Sequence, residues 1–195
     1  MDRAYPPLSL HRLSPGARLP TPDQHRERVE VDSPALAVMT DLRMVPAATI
    51  DTEAPIDAAH RFMVRRGVRL LLVADDERRV LGLVTATDLA GEKPVQLSLA
   101  TGIARHDLKV RDVLTPSDRL DVLAYAVVAH AKVGHIVTTL RQAGRQHALV
   151  CERSDGGETV RGIFSLSQIA RQLGLAIPSV EIALTFAEIE AALAK

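Results

Sequence analysis

The stretch 82-GLVTATDL-89 returns, altered, as 162-GIFSLSQI-169. Each copy opens on a glycine and two apolar residues, then places a hydroxyl, Thr85 or Ser165, three positions before a polar side chain, Asp88 or Gln168. A strand that runs into a helix through such a spacing has the signature of a capping box. The hydroxyl accepts from the helical amide three residues on, and the acid or amide reaches back to the cap. Both copies satisfy the rule, and so does 185-TFAE-188. Capping therefore explains the pattern in both copies, and a residue that caps can also bind.

Outward from these two stretches, the rest of the chain repeats as well. A helix is expected before the first copy, with Thr52 as cap, Pro55 in the first turn and Ile56, Ala59, Phe62 and Met63 as its apolar stripe. It stops at Gly67 after Arg65 and Arg66, whose charges suit a helix C-terminus. Residues 68–74 then read as a buried strand, 75–79 as a turn, 80–85 as a second strand, and "ATDLAG" as a helix kept short by Gly91 and Pro94. The second half follows the same order: a helix over 133–144, a strand over 145–151, a turn, a strand over 160–165, and a helix ending at Gly174. The offset between copies grows from 75 (Thr40 to Thr115) through 77 (Gly67 to Gly144) to 80 (Thr85 to Ser165), so the second copy carries small insertions. The unit is β-α-β-β-α, used twice. About 60 residues is marginal for an independent core, so the two units are expected to pack on each other's sheets.

Around the repeats, residues 1–30 hold five prolines and read as an extended or partly disordered arm. The first repeat is placed at 31–95, a linker at 96–109, the second repeat at 110–175, and a strand and helix extension at 176–195, with Phe186, Ile189 and Leu193 on one helix face. With 24 basic and 24 acidic residues there is no global electrostatic footprint for nucleic acid or membrane. Aromatics make up 3% of the chain and there is no Trp, which disfavours stacking on single-stranded nucleic acid. No apolar run reaches the length of a membrane span and the start lacks the pattern of a secretory signal. The single cysteine, Cys151, rules out an internal disulfide and fits a reducing compartment, so a cytoplasmic protein is expected.

These motifs together resemble a tandem pair of CBS domains, a Bateman module. The resemblance rests on "VMT" (38–40) and "VLT" (113–115), on "GVRLLLV" (67–73) and "GRQHALV" (144–150), and on the two opening stretches. It covers about residues 35–174. The second copy departs from the pattern in the long stretch 116–132 and in Gln168, which stands where the family has an acid. What the resemblance implies is an α/β (α+β) fold, two repeats in a pseudo-twofold pair, with two clefts that in this family commonly take adenosine-containing ligands. Each cleft combines the hydroxyl and acid of one repeat with the post-Thr segment and middle strand of the other. Carried over, the better cleft would use Thr85 and Asp88, faced by Thr115, Arg145 and His147, with Arg69 reaching phosphates. The weaker cleft would use Ser165 and Gln168 opposite Thr40 and Val68.

Residue chemistry is compatible with that expectation. A strand feeding a helix N-terminus presents free amides and the positive end of a dipole, which favours an anion. Asp88 can accept two hydrogen bonds from a ribose diol, each worth roughly 1.5–3 kcal/mol when dry. Arg145 and His147 alternate along a strand and so share a face, although a water-exposed strand edge is an equally simple role for them. Tyr125 can stack on a base or pack in the core. The seven histidines are scattered without a third ligand near His130 and His135, and no phosphate loop, dinucleotide-binding glycine triplet or nucleophile elbow occurs. The expectation is a non-enzymatic regulator without a metal site: a homodimer that takes AMP, ADP or ATP and signals to a protein effector. S-adenosylmethionine and an accompanying Mg²⁺ stay open. The rival expectation is a ligand-free dimerising scaffold.

Overall fold

The computed structural model describes residues 29–174. All but the last two residues of the expected arm, and the whole 176–195 extension with its TFAE box, lie outside the described residues.

The first half supplies β1 (Thr40–Asp41), β2 (Thr49–Ile50), α1 (Ile56–Arg66), β3 (Leu70–Ala74), β4 (Val80–Thr85), α2 (Ala86–Ala90) and α3 (Lys93–Thr101). The second supplies α4 (Val110–Val113), β5 (Thr115–Pro116), β6 (Val122–Ala124), α5 (Tyr125–Val128), α6 (Val133–Gln142), β7 (His147–Ser154), β8 (Gly157–Ser165) and α7 (Leu166–Gln172). They form two four-stranded sheets, ordered β2-β3-β4-β5 and β1-β8-β7-β6. Each sheet therefore borrows an edge strand from the other repeat. Thr115 and Pro116 pair with Leu83 and Gly82 of β4, and Thr40 and Asp41 pair with Ile163 and Gly162 of β8, both antiparallel. This reciprocal exchange is the pseudo-twofold pairing, and it puts each post-Thr segment beside the opposite repeat's motif.

The glycine that opens each motif makes room for the borrowed strand. A Cβ on Gly82 would lie 2.3 Å from the Thr115 carbonyl oxygen and 2.8 Å from Leu114 Cδ1. On Gly162 it would meet the Met39 side chain, with Sδ at 2.5 Å.

Both long helices are amphipathic. Ile56, Ala59 and Met63 of α1 are buried, as are Val133, Ile136, Val137 and Leu140 of α6. Gly67 closes α1 in the left-handed region (φ 64°), and Gly144 takes the same conformation after α6 (φ 61°), which an L side chain rarely adopts. Pro55, not Thr52, occupies the N-cap of α1 and supplies no side-chain bond. Each sheet has its own largely aliphatic core, to which the other half of the chain contributes Ala35 and Val38 in one and Val110 and Val113 in the other, and Leu70, Leu72 and Leu149 pack between the sheets.

Three features differ from the sequence expectation. Pro94 starts α3 rather than ending α2, because its missing N–H costs nothing in a helix's first turn. The irregular stretch after Thr115 holds β6 and α5, with Tyr125 partly buried against the second core. The β7–β8 hairpin runs on through Ser154 and Gly157, leaving a tighter turn than the polar run 153–158 suggests.

A buried cation also holds the borrowed β1 to its host. Arg161, 8% exposed, pairs through Nη1 with Asp41 of β1 and faces Glu152 Oε2 from Nε at 3.5 Å. Its guanidinium carbon lies 5.2 Å from the Tyr125 ring centre, and Glu152 is shared with Arg43 at 2.6 Å. Two carboxylates and a ring compensate what would otherwise be a costly buried charge. Core packing, not a free face for a base, is thus where Tyr125 sits.

Candidate functional site: two unlike clefts between the repeats

Because the post-Thr strands are exchanged, two clefts open between the repeats, related by the pseudo-twofold. The first is a cavity of about 330 Å³ lined by Thr85, Thr87 and Asp88 from one repeat and by Thr115, Asp121 and residues 144–147 from the other. Leu70, Leu83, Leu120 and Leu149 give it apolar walls. Thr85, Asp88, Thr115, Arg145 and His147 therefore come together in one place. Arg69 does not join them.

Arg69 lines the second cavity, of about 430 Å³, with Thr40, Val68, Ser165 and Gln168. The reason is the exchange itself. Each cleft takes its motif from one repeat and the segment leading into the middle strand from the other, so residues 67–70 face Ser165 and Gln168. The equivalent of Arg69 in the first cleft is Gln146. Sequence reading also missed Thr87 and Asp121 in the first cleft, and Arg65, Arg66 and Arg171 in the second. Arg65 and Arg66 were legible only as helix-end charges.

The capping box is complete in the first copy alone. Asp88 N–H donates to Thr85 Oγ1 at 3.3 Å, while Asp88 Oδ2 accepts from Thr85 N–H at 2.9 Å and from the Thr85 hydroxyl at 2.7 Å. Ala86 N–H is taken by the Arg69 carbonyl at 2.9 Å. These amides, expected to face a ligand anion, are thus already bonded. Asp88 Oδ1 makes no hydrogen bond and is held only by a long ion pair with Lys93 Nζ at 3.6 Å. In the second copy no such box forms. Gln168 Oε1 instead accepts from Thr40 Oγ1 across the repeats at 3.2 Å, and Ser165 turns to Ser167 at 3.1 Å.

His147, the first residue of β7, borders both cavities. Burial, and then the nearby Arg69 charge, push its pKa down to about 4, so the imidazole is neutral at physiological pH. Arg145, beside it, donates from Nη2 to Asp121 at 2.9 Å, an exposed pair that a ligand can displace cheaply. Burial pushes the Cys151 thiol up, which suits a buried residue rather than a nucleophile. Among the described residues no group of three or more His, Cys, Asp or Glu is placed to hold a metal ion. No described helix is long and apolar enough to cross a membrane.

Comparison with known proteins agrees with this architecture. Residues 37–93 match the CBS domain family model. No curated protein matches the chain. The fold is similar to that of an uncharacterized conserved protein from Pyrococcus horikoshii, with TM-score 0.54 and 18% identity over 78% of this chain and 100% of that one. It is also similar to CBSX2 solved in complex with AMP (TM-score 0.51, 20% identity, 71% and 94% covered). A CBS-domain containing protein from Agrobacterium tumefaciens matches at TM-score 0.51 and 16% identity, over 69% of this chain and 93% of that one. Residues 37–93 thus carry a match to the CBS domain, and both repeats together have the fold of these relatives.

Proposed function

We propose that the first cleft binds an adenine nucleotide (AMP, ADP or ATP) and that the chain is a regulator, not an enzyme. The observation that carries this reading is Asp88. It has a carboxylate oxygen free of hydrogen bonds, on the wall of a cavity that Thr115, Arg145 and His147 complete from the other repeat. The volume is at the lower end of the roughly 300–1,000 Å³ typical of small-molecule sites. Leucine walls suit a base, Asp88 a ribose diol, and Arg145 a phosphate once it leaves Asp121. The fold shared with CBSX2, which was solved with AMP, supports the same choice. A ligand there touches both repeats and so favours their closed packing. A partner protein reads that change, and a second copy of the chain is the nearest candidate for a stable assembly. Val64 of α1 and Leu99 of α3, 68% and 83% exposed, offer apolar surface for it.

The completed capping box favours one competing reading, a scaffold in which Asp88 serves only the fold. Calorimetric titration with AMP, ADP and ATP separates the two. The wild-type chain should bind about one nucleotide in this cleft, and Asp88→Ala should weaken it roughly tenfold or more, the loss of one charge-assisted bond. An Asp88→Asn control keeps a side chain that can cap, so weakened binding in Asn as well points to the charge. Absence of heat and of thermal protection with every nucleotide would favour the scaffold.

A further inference from the structure

The two clefts differ in charge at equivalent positions, and the difference has a direction. Arg65 and Arg66 of α1, Arg69 before β3 and Arg171 of α7 all line the second cavity, which has no Asp or Glu in its lining. Their twofold counterparts around the first cleft are Gln142, Ala143, Gln146 and Gly91, all uncharged. Conversely, Asp88 and Asp121 of the first cleft correspond to Gln168 and Pro46 in the second.

Hydrogen-bond accounting sharpens the contrast. In the second cleft the neutral groups satisfy one another, Thr40 with Gln168 and Ser165 with Ser167. The arginines do not. None of the four has an acidic partner among the described residues: Arg65 lies 5.9 Å from the Phe62 ring, and Arg171 Nε donates to the Ser167 carbonyl at 3.3 Å. The capacity left over is therefore guanidinium donors, drawn from both repeats. Arg69 is close enough to weigh on His147, so its charge is felt at the cleft wall. Four like charges around one cavity repel each other, and a multivalent anion relieves that repulsion while guanidinium forks match phosphate oxygens.

We propose that the second cleft is a polyanion site, which takes a chain of two or more phosphates through Arg65, Arg66, Arg69 and Arg171 and makes no use of a ribose diol. The proposal rests on reading the clefts as ligand sites and assigns the second a different ligand chemistry from the first. A bare phosphate chain and the phosphate tail of a nucleotide share that chemistry.

Inorganic tripolyphosphate, titrated calorimetrically into the full-length chain, tests it, with AMP as a parallel probe of the first cleft. Tripolyphosphate should bind about once per chain and weaken steeply with added salt. Arg69→Gln/Arg171→Gln should cut its affinity at least tenfold while AMP binding holds, and Asp88→Ala should do the reverse. All the substituted arginines are exposed, and an unchanged melting temperature confirms that the double variant folds. ATP binding no tighter than tripolyphosphate to Asp88→Ala would mark a phosphate chain as the source. Markedly tighter ATP would mean that the nucleoside carries the binding and would overturn the proposal. No tripolyphosphate binding, or binding that ignores the arginine changes, overturns it. Failure of AMP alone counts against the first-cleft reading and leaves this one standing.

Discussion

Gly82→Ala should destabilise the protein by about 3 kcal/mol or more, whereas Gly162→Ala should cost about 1 kcal/mol, although the two glycines hold equivalent places in the repeat. Both are buried, and neither has a positive φ, so their need is for space rather than for conformational freedom. What differs is the obstacle. At Gly82 the added methyl meets the backbone of the borrowed strand β5 at the Thr115 carbonyl, which can retreat only by breaking its pairing with β4. At Gly162 it meets the flexible end of Met39, which can rotate away. Urea unfolding of the two variants gives the comparison. Equal losses would mean that the borrowed strand is not held as closely as described.

The second large effect is on acid stability. His147 titrates near its ordinary 6.5 in the unfolded chain and at about 4 in the folded one. The unfolded chain therefore takes up the proton first. The stability due to the neutral, buried imidazole is fully present above pH 6.5, falls as the pH drops towards 4, and changes no further below that. At about 1.4 kcal/mol per pH unit, the loss across the window is about 3 kcal/mol. Paired carboxylates also titrate at acid pH, so the stability difference between wild type and His147→Gln is the clean quantity. That difference should shift against the wild type by about 3 kcal/mol between pH 7 and pH 4. A difference independent of pH would mean the imidazole is better solvated than its position between the clefts implies. An anion in either cleft should blunt the effect by favouring the imidazolium.

Much of this was legible in the sequence because it rests on strong local signals. Gly67 and Gly144 mark helix ends by their left-handed backbone, and the alternation of "RLLLVA" and "VLGLVT" with turn residues defines the first hairpin. Pro94 misled because proline both ends one helix and begins the next. The strand exchange left no periodic trace, since β1 and β5 are two residues each. Its signal is instead the glycine opposite each of them. Asp88, Thr85 and Thr115 could be grouped from their motifs, and the rule that sets Val68 opposite Ser165 holds for Arg69 as well, whose charge alone suggested the other cleft. Arg161 was illegible for a similar reason: its partners Asp41 and Glu152 come from different repeats.

The central claim is that one cleft is built to hold a nucleoside monophosphate and the other is not. Backbone amide chemical shifts recorded during titration with AMP test this most directly. Saturable changes should appear first at Thr85–Asp88, Thr115 and residues 144–147, with the stretch 40–48 and residues 165–171 following weakly or not at all. Changes confined to Ser165, Gln168 and Arg69, or no saturable change anywhere, would contradict it.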